Sequence, residues 1–204
     1  MYDIISIPKT GGTIFKQYLY DSEYYSQYFY YADLINKEKK PRSWPHSVRS
    51  CDVENPVLII REPLDRFISC YNYYNNGSEV WGGDKKQVSV EEFLSDSCPQ
   101  KPHFWFAHFR TQSWYMSEKD YKKTIVLVYN KDIGRLINKL LYELKIPANK
   151  TAEPVEKFNV TKKTKVGGFS NTQLRLVHEK YKEDFVLYEK LLNRPDMFKK
   201  VIDI

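Results

Sequence analysis

Tyr2-Asp-Ile-Ile-Ser-Ile-Pro-Lys-Thr-Gly-Gly-Thr13 joins a short apolar run to a glycine-containing turn. Ile14, Phe15, Tyr18 and Leu19 follow at helical spacing. The stretch reads as buried strand, turn and helix. A helix N-terminus offers unpaired N–H groups and the positive end of the helix dipole, which suits a phosphate. Gly11 and Gly12 let the backbone approach closely, Lys9 adds a mobile charge, and Thr10 and Thr13 add hydroxyl donors. These are the parts of a nucleotide cradle. An ordinary tight turn with an exposed lysine is the plainer alternative. The turn is not a Walker A sequence, because there the lysine follows the glycines and here it precedes them.

Outward from this turn the pattern repeats. Pro56-Val-Leu-Ile-Ile60 and Thr124-Ile-Val-Leu-Val-Tyr129 read as further buried strands. Pro63 suits the first turn of a helix, with Leu64, Phe67, Ile68 and Tyr71 as its apolar stripe. Ile133, Leu136, Ile137, Leu140 and Leu141 give another amphipathic helix. Ser170 and Gln173 form a capping box opening one last helix with Leu174, Val177, Tyr181, Phe185 and Tyr188 on one face. Short helices are expected around Val90–Leu94 and within 103–116, a short strand at His46–Cys51, and a long loop over 145–169. Strands alternating with helices predict an α/β fold with a mainly parallel sheet.

Length and composition narrow the function. A chain of 204 residues fits one domain, here taken as 1–204. The net charge of +6 favours anionic partners without choosing among them. The basic runs Lys37–Lys40 and Lys162–Lys165 are short and read as solvated loops, so no nucleic-acid tail is expected. The odd cysteine count (Cys51, Cys70 and Cys98) matches neither a disulfide framework nor a zinc pattern. Asn-x-Ser/Thr triplets at Asn76, Asn149 and Asn159 matter only in a secretory compartment. No stretch reaches the roughly 18 apolar residues of a membrane span, and no signal peptide precedes the first motif. A soluble, cytoplasmic protein of bacterial or viral type is expected, with a Golgi location only if an anchor has been removed.

A second motif lies at Arg61-Glu-Pro-Leu-Asp-Arg-Phe-Ile-Ser69. Arg61 ends a buried strand, where open α/β sheets bind ligands. Arg66 and Ser69 share a helix face. Two guanidiniums and a hydroxyl converging on one spot suit a phosphate dianion; a surface ion-pair cluster of Arg61, Glu62, Asp65 and Arg66 is the alternative.

Taken together, Pro8–Thr13 and Arg61–Ser69 resemble the sulfotransferase family that uses 3′-phosphoadenosine-5′-phosphosulfate (PAPS), especially its carbohydrate (heparan- and chondroitin-type) branch. The first motif resembles that family's 5′-phosphosulfate loop. The second resembles its 3′-phosphate motif, an arginine followed eight positions later by a serine. Weaker similarity runs through His108–Gln112 and from Asn159 to Tyr188. The fold expected is a P-loop-like three-layer sandwich. The resemblance implies that Lys9, Thr10, Gly11, Gly12 and Thr13 hold the 5′-phosphate and the departing sulfuryl group. Arg61 and Ser69, with Arg66 beside them, would hold the 3′-phosphate, and Lys165 and Gly167 lie where relatives place a basic loop over the nucleotide.

By analogy with phosphoryl transfer, an acceptor hydroxyl attacks sulfur in line and Lys9 neutralises charge on the leaving phosphate. No metal is required. His46, in Trp44-Pro-His-Ser47, is the expected base, since carbohydrate sulfotransferases similarly place a histidine between the two motifs. A loop histidine without chemistry is its alternative reading; His108 is the second choice, and a glutamate base stays open. The acceptor is expected to be a carbohydrate hydroxyl, met by the aromatics and lysines of 24–44, 75–100 and 103–114. Two other classes compete: a P-loop-type small-molecule kinase, disfavoured because strand 125–129 ends in Tyr-Asn rather than Asp, and a non-catalytic nucleotide- or sulfated-glycan-binding module.

Overall fold

The computed structural model describes residues 1–12, 14–15, 18, 28–31, 48–76, 88–95, 106–129, 132–147 and 168–203. Five strands, β1 (Tyr2–Ile5), β2 (Phe29–Tyr31), β3 (Pro56–Arg61), β4 (Ile125–Tyr129) and β5 (Lys200–Ile202), form one sheet in the order β2-β1-β3-β4-β5. Every neighbouring pair is parallel; Ile5 sits beside Leu58, and Arg61 beside Tyr129. The helices are α1 (Pro63–Asn76), α2 (Val90–Leu94), α3 (Phe106–Phe109), α4 (Ile133–Glu143), α5 (Asn171–Lys180) and α6 (Lys182–Asn193).

Continuous apolar runs suit strands covered on both faces, and β3 and β4 are such runs. Alternation divides their side chains between two cores. Val57, Ile59, Ile125 and Leu127 face one side, where Ile133, Leu136, Ile137, Leu140 and Leu141 of α4 cover them. Leu58, Ile60 and Val126 face the other, under Leu187 and Leu191 of α6 and Tyr115 and Tyr121. The result is the expected α/β three-layer sandwich. A third cluster, built on Phe67, Cys70, Phe93, Val177 and Tyr181, packs α1 against α2 and α5.

The start of α1 is settled locally. Pro63 opens it, and the Glu62 carboxylate accepts from the N–H groups of Leu64 (3.1 Å) and Asp65 (2.6 Å), satisfying donors that helix geometry leaves unpaired.

Four elements differ from the sequence-based expectation. Ser50–Asp52 is a short 3-10 helix, not part of a strand; its turn is closed by Arg49 N–H on Asp52 Oδ2 (2.8 Å), and Ser50 Oγ donates to Asp120 Oδ2 (2.9 Å). His46 and Ser47 lie outside the described residues. The single last helix is two, broken at Tyr181 (φ −109, ψ 23). The break sends Val177 and Tyr181 into the third cluster and Leu187 and Leu191 into the sheet's second core. Strands β2 and β5 have no counterpart in the sequence-based expectation, because three residues are too few to show a strand pattern. The capping box of α5 is present: Ser170 Oγ accepts from Gln173 N–H (3.2 Å), and Gln173 Oε1 from Ser170 N–H (3.0 Å).

Leu127 is fully buried on the α4 face. Leu127→Ala should lower unfolding stability by about 2–5 kcal/mol, read as a shift in the urea midpoint at unchanged slope.

Candidate functional site

From β1 the chain travels to β2 on one flank and then returns to β3 on the other. Connections leaving adjacent strands in opposite directions open a crevice beyond their carboxyl ends, the usual ligand position in such sheets. The Pro8–Gly12 turn continues from β1, and Arg61 ends β3. The topology therefore brings the two sequence motifs to one crevice.

The turn has a specific backbone. Lys9 (φ 66) and Gly11 (φ 88) both occupy the left-handed region, which costs a lysine energy and a glycine almost none. A Cβ on Gly11 would lie 2.9 Å from both Tyr129 Cε2 and Ile133 Cδ1, so glycine is needed for space as well as conformation. Gly12 passes close to Ser6, whose Oγ would lie 3.0 Å from a Cβ there. Thr10 is fully buried and its hydroxyl donates to the Ile7 carbonyl (2.9 Å). Its proton therefore braces the turn itself. Helical residues begin at Gly12, with Phe15 N–H donating to Gly11 O (3.1 Å).

The two arginines of the second motif reach consecutive carbonyls of that turn. Arg61 Nη1 donates to Lys9 O (3.2 Å) and Arg66 Nε to Pro8 O (3.1 Å). Their situations otherwise diverge. The Arg61 backbone is clamped by the buried Gln112 amide, whose Oε1 accepts from Arg61 N–H (2.9 Å) and whose Nε2 donates to Arg61 O (2.8 Å). The Arg61 guanidinium lies 5.0 Å from the Tyr129 ring and 3.8 Å from Asp65. Its buried Nε has no hydrogen-bond partner among the described residues.

Arg66 is turned inward and is 1% exposed. Nη1 donates to Arg110 O (2.9 Å) and Nη2 to His108 O (3.5 Å), and Asp184 Oδ2 lies 3.9 Å from Nη1. Asp184 is as buried, and its Oδ1 accepts from Ser113 N–H (2.9 Å). Burial pushes the Asp184 carboxyl up from its ordinary value, opposed by Arg66 and the Ser113 amide. Ser69, half-buried on α1, lies one turn beyond Arg66.

Lys9 places its ammonium 3.9 Å from the centroid of the Tyr73 ring on α1. Burial pushes this ammonium below its ordinary value, and the like charge of Arg61 adds to the shift. Cys70 lies beneath, its thiol pushed up by burial against the pull of Arg66, Lys9 and Arg61.

Lys9, Thr10, Gly11, Gly12, Arg61 and Arg66 are thus gathered at one turn. Thr13, His46, Lys165 and Gly167 lie outside the described residues. Sequence reasoning gave no role to Gln112, Asp184, Tyr129 or Tyr73. Tyr73 carried a readable signal, since it follows Arg66 and Ser69 at helical spacing on α1. Gln112 and Asp184 are buried polar residues whose partners are distant in the chain.

The chain is an α/β protein whose all-parallel sheet carries cationic groups at its switch point. The chain belongs to the sulfotransferase family, whose model matches residues 4–190. No curated protein and no solved structure matches it. The family's chemistry is sulfuryl transfer, which requires a sulfate donor and a hydroxyl-bearing acceptor. Among the described residues, no cluster of His, Cys, Asp and Glu could hold a metal ion, and no helix is long and apolar enough to cross a membrane.

Removing Asp184 strands a buried charge. Asp184→Ala should cost about 3–5 kcal/mol of stability. Asp184→Asn, which keeps an oxygen for Ser113 N–H, should cost less. Chemical denaturation of the two variants separates the loss of charge from the loss of the hydrogen bond.

Proposed function

We propose that the chain transfers a sulfuryl group from PAPS to a carbohydrate hydroxyl within one domain spanning 1–204. The observation supporting this reading is the meeting of the two motifs at the ends of adjacent strands β1 and β3. A bisphosphorylated nucleotide needs two anion seats at a fixed separation, and the meeting of the two motifs at one crevice supports that reading.

The residues present fit an anionic ligand. Arg61 Nε is a buried donor without a partner among the described residues, a group that costs stability until something accepts from it. Gly11 leaves the turn free of a side chain that its surroundings could not hold. In this reading the Lys9–Thr13 turn binds the 5′-phosphate through backbone N–H groups, and Arg61 and Ser69 bind the 3′-phosphate. Arg66 acts as a positioning residue through Pro8 O rather than as a direct ligand. Lys165 and Gly167 cover the nucleotide.

PAPS supplies a sulfuryl group joined to a phosphate that departs as a stable anion. Lys9 stabilises the charge that develops on that phosphate. His46 accepts the proton of the attacking hydroxyl, and aromatic side chains bind the acceptor sugar. Preorganised charge of this kind contributes roughly 3–4 kcal/mol per donor. A small-molecule kinase is not favoured by the family assignment.

Calorimetry with 3′-phosphoadenosine-5′-phosphate, the product nucleotide, tests the donor site. Binding should weaken about ten- to a hundredfold in Arg61→Ala, and ADP should bind the wild type about as poorly. Binding of ATP with magnesium, but not of the bisphosphate, would overturn the assignment. A second expectation concerns the base. His46→Ala should lower transfer to a glycan acceptor about 10²–10⁴-fold while bisphosphate affinity is unchanged; unaltered turnover would exclude His46.

A further inference from the structure

Lys9 carries a charge in a place that disfavours it. Lys9 is partly buried, and its ammonium lies near the like-charged Arg61. No carboxylate lies within ion-pair distance of it among the described residues. The contact it does make is with the Tyr73 ring, 3.9 Å from Nζ to centroid, well inside the roughly 6 Å range of cation–π attraction. That attraction is strongest where water is excluded.

The ring is held for the task. Tyr73 stands on α1 two helical turns beyond Arg66, which is itself tied to the Pro8 carbonyl. The His108 ring stacks on Tyr73 at 5.8 Å between centroids and 19° between planes. The His108 carbonyl in turn accepts from Arg66. One arginine therefore fixes the turn that bears Lys9 and the segment that backs Tyr73.

We propose that Tyr73 is a positioning residue for Lys9: its ring face holds the ammonium charged and aimed into the crevice until a ligand anion takes it over. The attraction of a ring is weaker than that of a phosphate, so the hold is released on binding without a large penalty. The lysine's part in sulfuryl transfer rests on the function proposed above; its hold by the ring does not. Arg61 from β3 and Cys70 from α1 act on the Lys9 charge; around it stand Tyr73 from α1, Arg66 bonded to the neighbouring Pro8 carbonyl, and His108 from α3 behind the ring.

The test reads the titration of Lys9 in the full chain, by competitive acylation across pH and peptide mass spectrometry. A ring that stabilises the cation raises the lysine's titration midpoint, so removing it must lower the midpoint. Tyr73→Leu should shift the midpoint down by roughly half a unit to one and a half units. Tyr73→Phe, which keeps the ring face, should titrate with the wild type. Phenylalanine analogues of rising fluorine content at position 73 keep the ring's shape but drain its negative face. They should lower the midpoint step by step, and they remain informative if Tyr73→Leu does not fold. A midpoint indifferent to fluorination would show that the ring merely packs, and would end the proposal. Failure of the wild type to bind the bisphosphate would instead remove the donor assignment and leave the Lys9 titration standing.

Discussion

The buried guanidinium of Arg66 is the constraint on which the site depends. It reaches three backbone carbonyls, of Pro8, His108 and Arg110, and faces the Asp184 carboxylate. Those partners belong to segments far apart in sequence: the turn after β1, the segment that begins at α3, and α6. A planar fork of five fixed donors can reach acceptors on separate segments that a lysine's single ammonium could not span. Burying such a pair is costly, and the attraction offsets the cost only when the remaining donors are also satisfied. Here three carbonyls help to do so. The break between α5 and α6 at Tyr181 belongs to the same arrangement, because it brings Asp184 beneath the arginine while Val177 stays in the third cluster.

That anchorage allows positive charge to be concentrated where folding alone would disperse it. Lys9, Arg61 and Arg66 all meet at one turn, with Asp184 and Asp65 as the carboxylates nearby. Like charges in a partly dry crevice repel, and the lowered affinity of Lys9 for its proton reflects this together with burial. Backbone strain is stored in the same place, with a lysine in the left-handed region. Such features persist only when the surroundings over-determine them. The fully buried Thr10 hydroxyl, the Gln112 clamp and the Arg66 fork are those surroundings.

The centre of the sheet was legible because β3 and β4 are nearly unbroken runs of Ile, Val and Leu followed by helices with clear apolar stripes. Hydrophobic periodicity is a local property, and β1, β3, β4 and α4 declare themselves within their own residues. Strand β5 is too short to show a period. The break at Tyr181 was invisible because Val177, Tyr181, Phe185 and Tyr188 keep helical spacing straight across it. The two motifs were legible as residues, but not the different surroundings of their arginines. That Arg66 is buried against protein depends on His108, Arg110 and Asp184, and no local pattern links residue 66 to residue 184.

The division between the two arginines follows from where each sits. Arg61 is the last residue of β3, at the carboxyl end of the sheet's central strand, so its backbone is paired while its side chain reaches over to the Lys9 carbonyl beside the crevice. Arg66 stands one turn into α1, next to Phe67 of the third cluster, where a long side chain leans back toward the helix N-terminus. That lean carries it under the turn rather than over it. Two residues of one type, five positions apart, thus divide into a partly exposed group at the crevice and a fully buried group beneath the turn. The same reasoning extends along α1 to Tyr73, where the helix again turns a side chain toward Lys9. One face of one helix thus braces the turn at its base and holds its lysine at the tip.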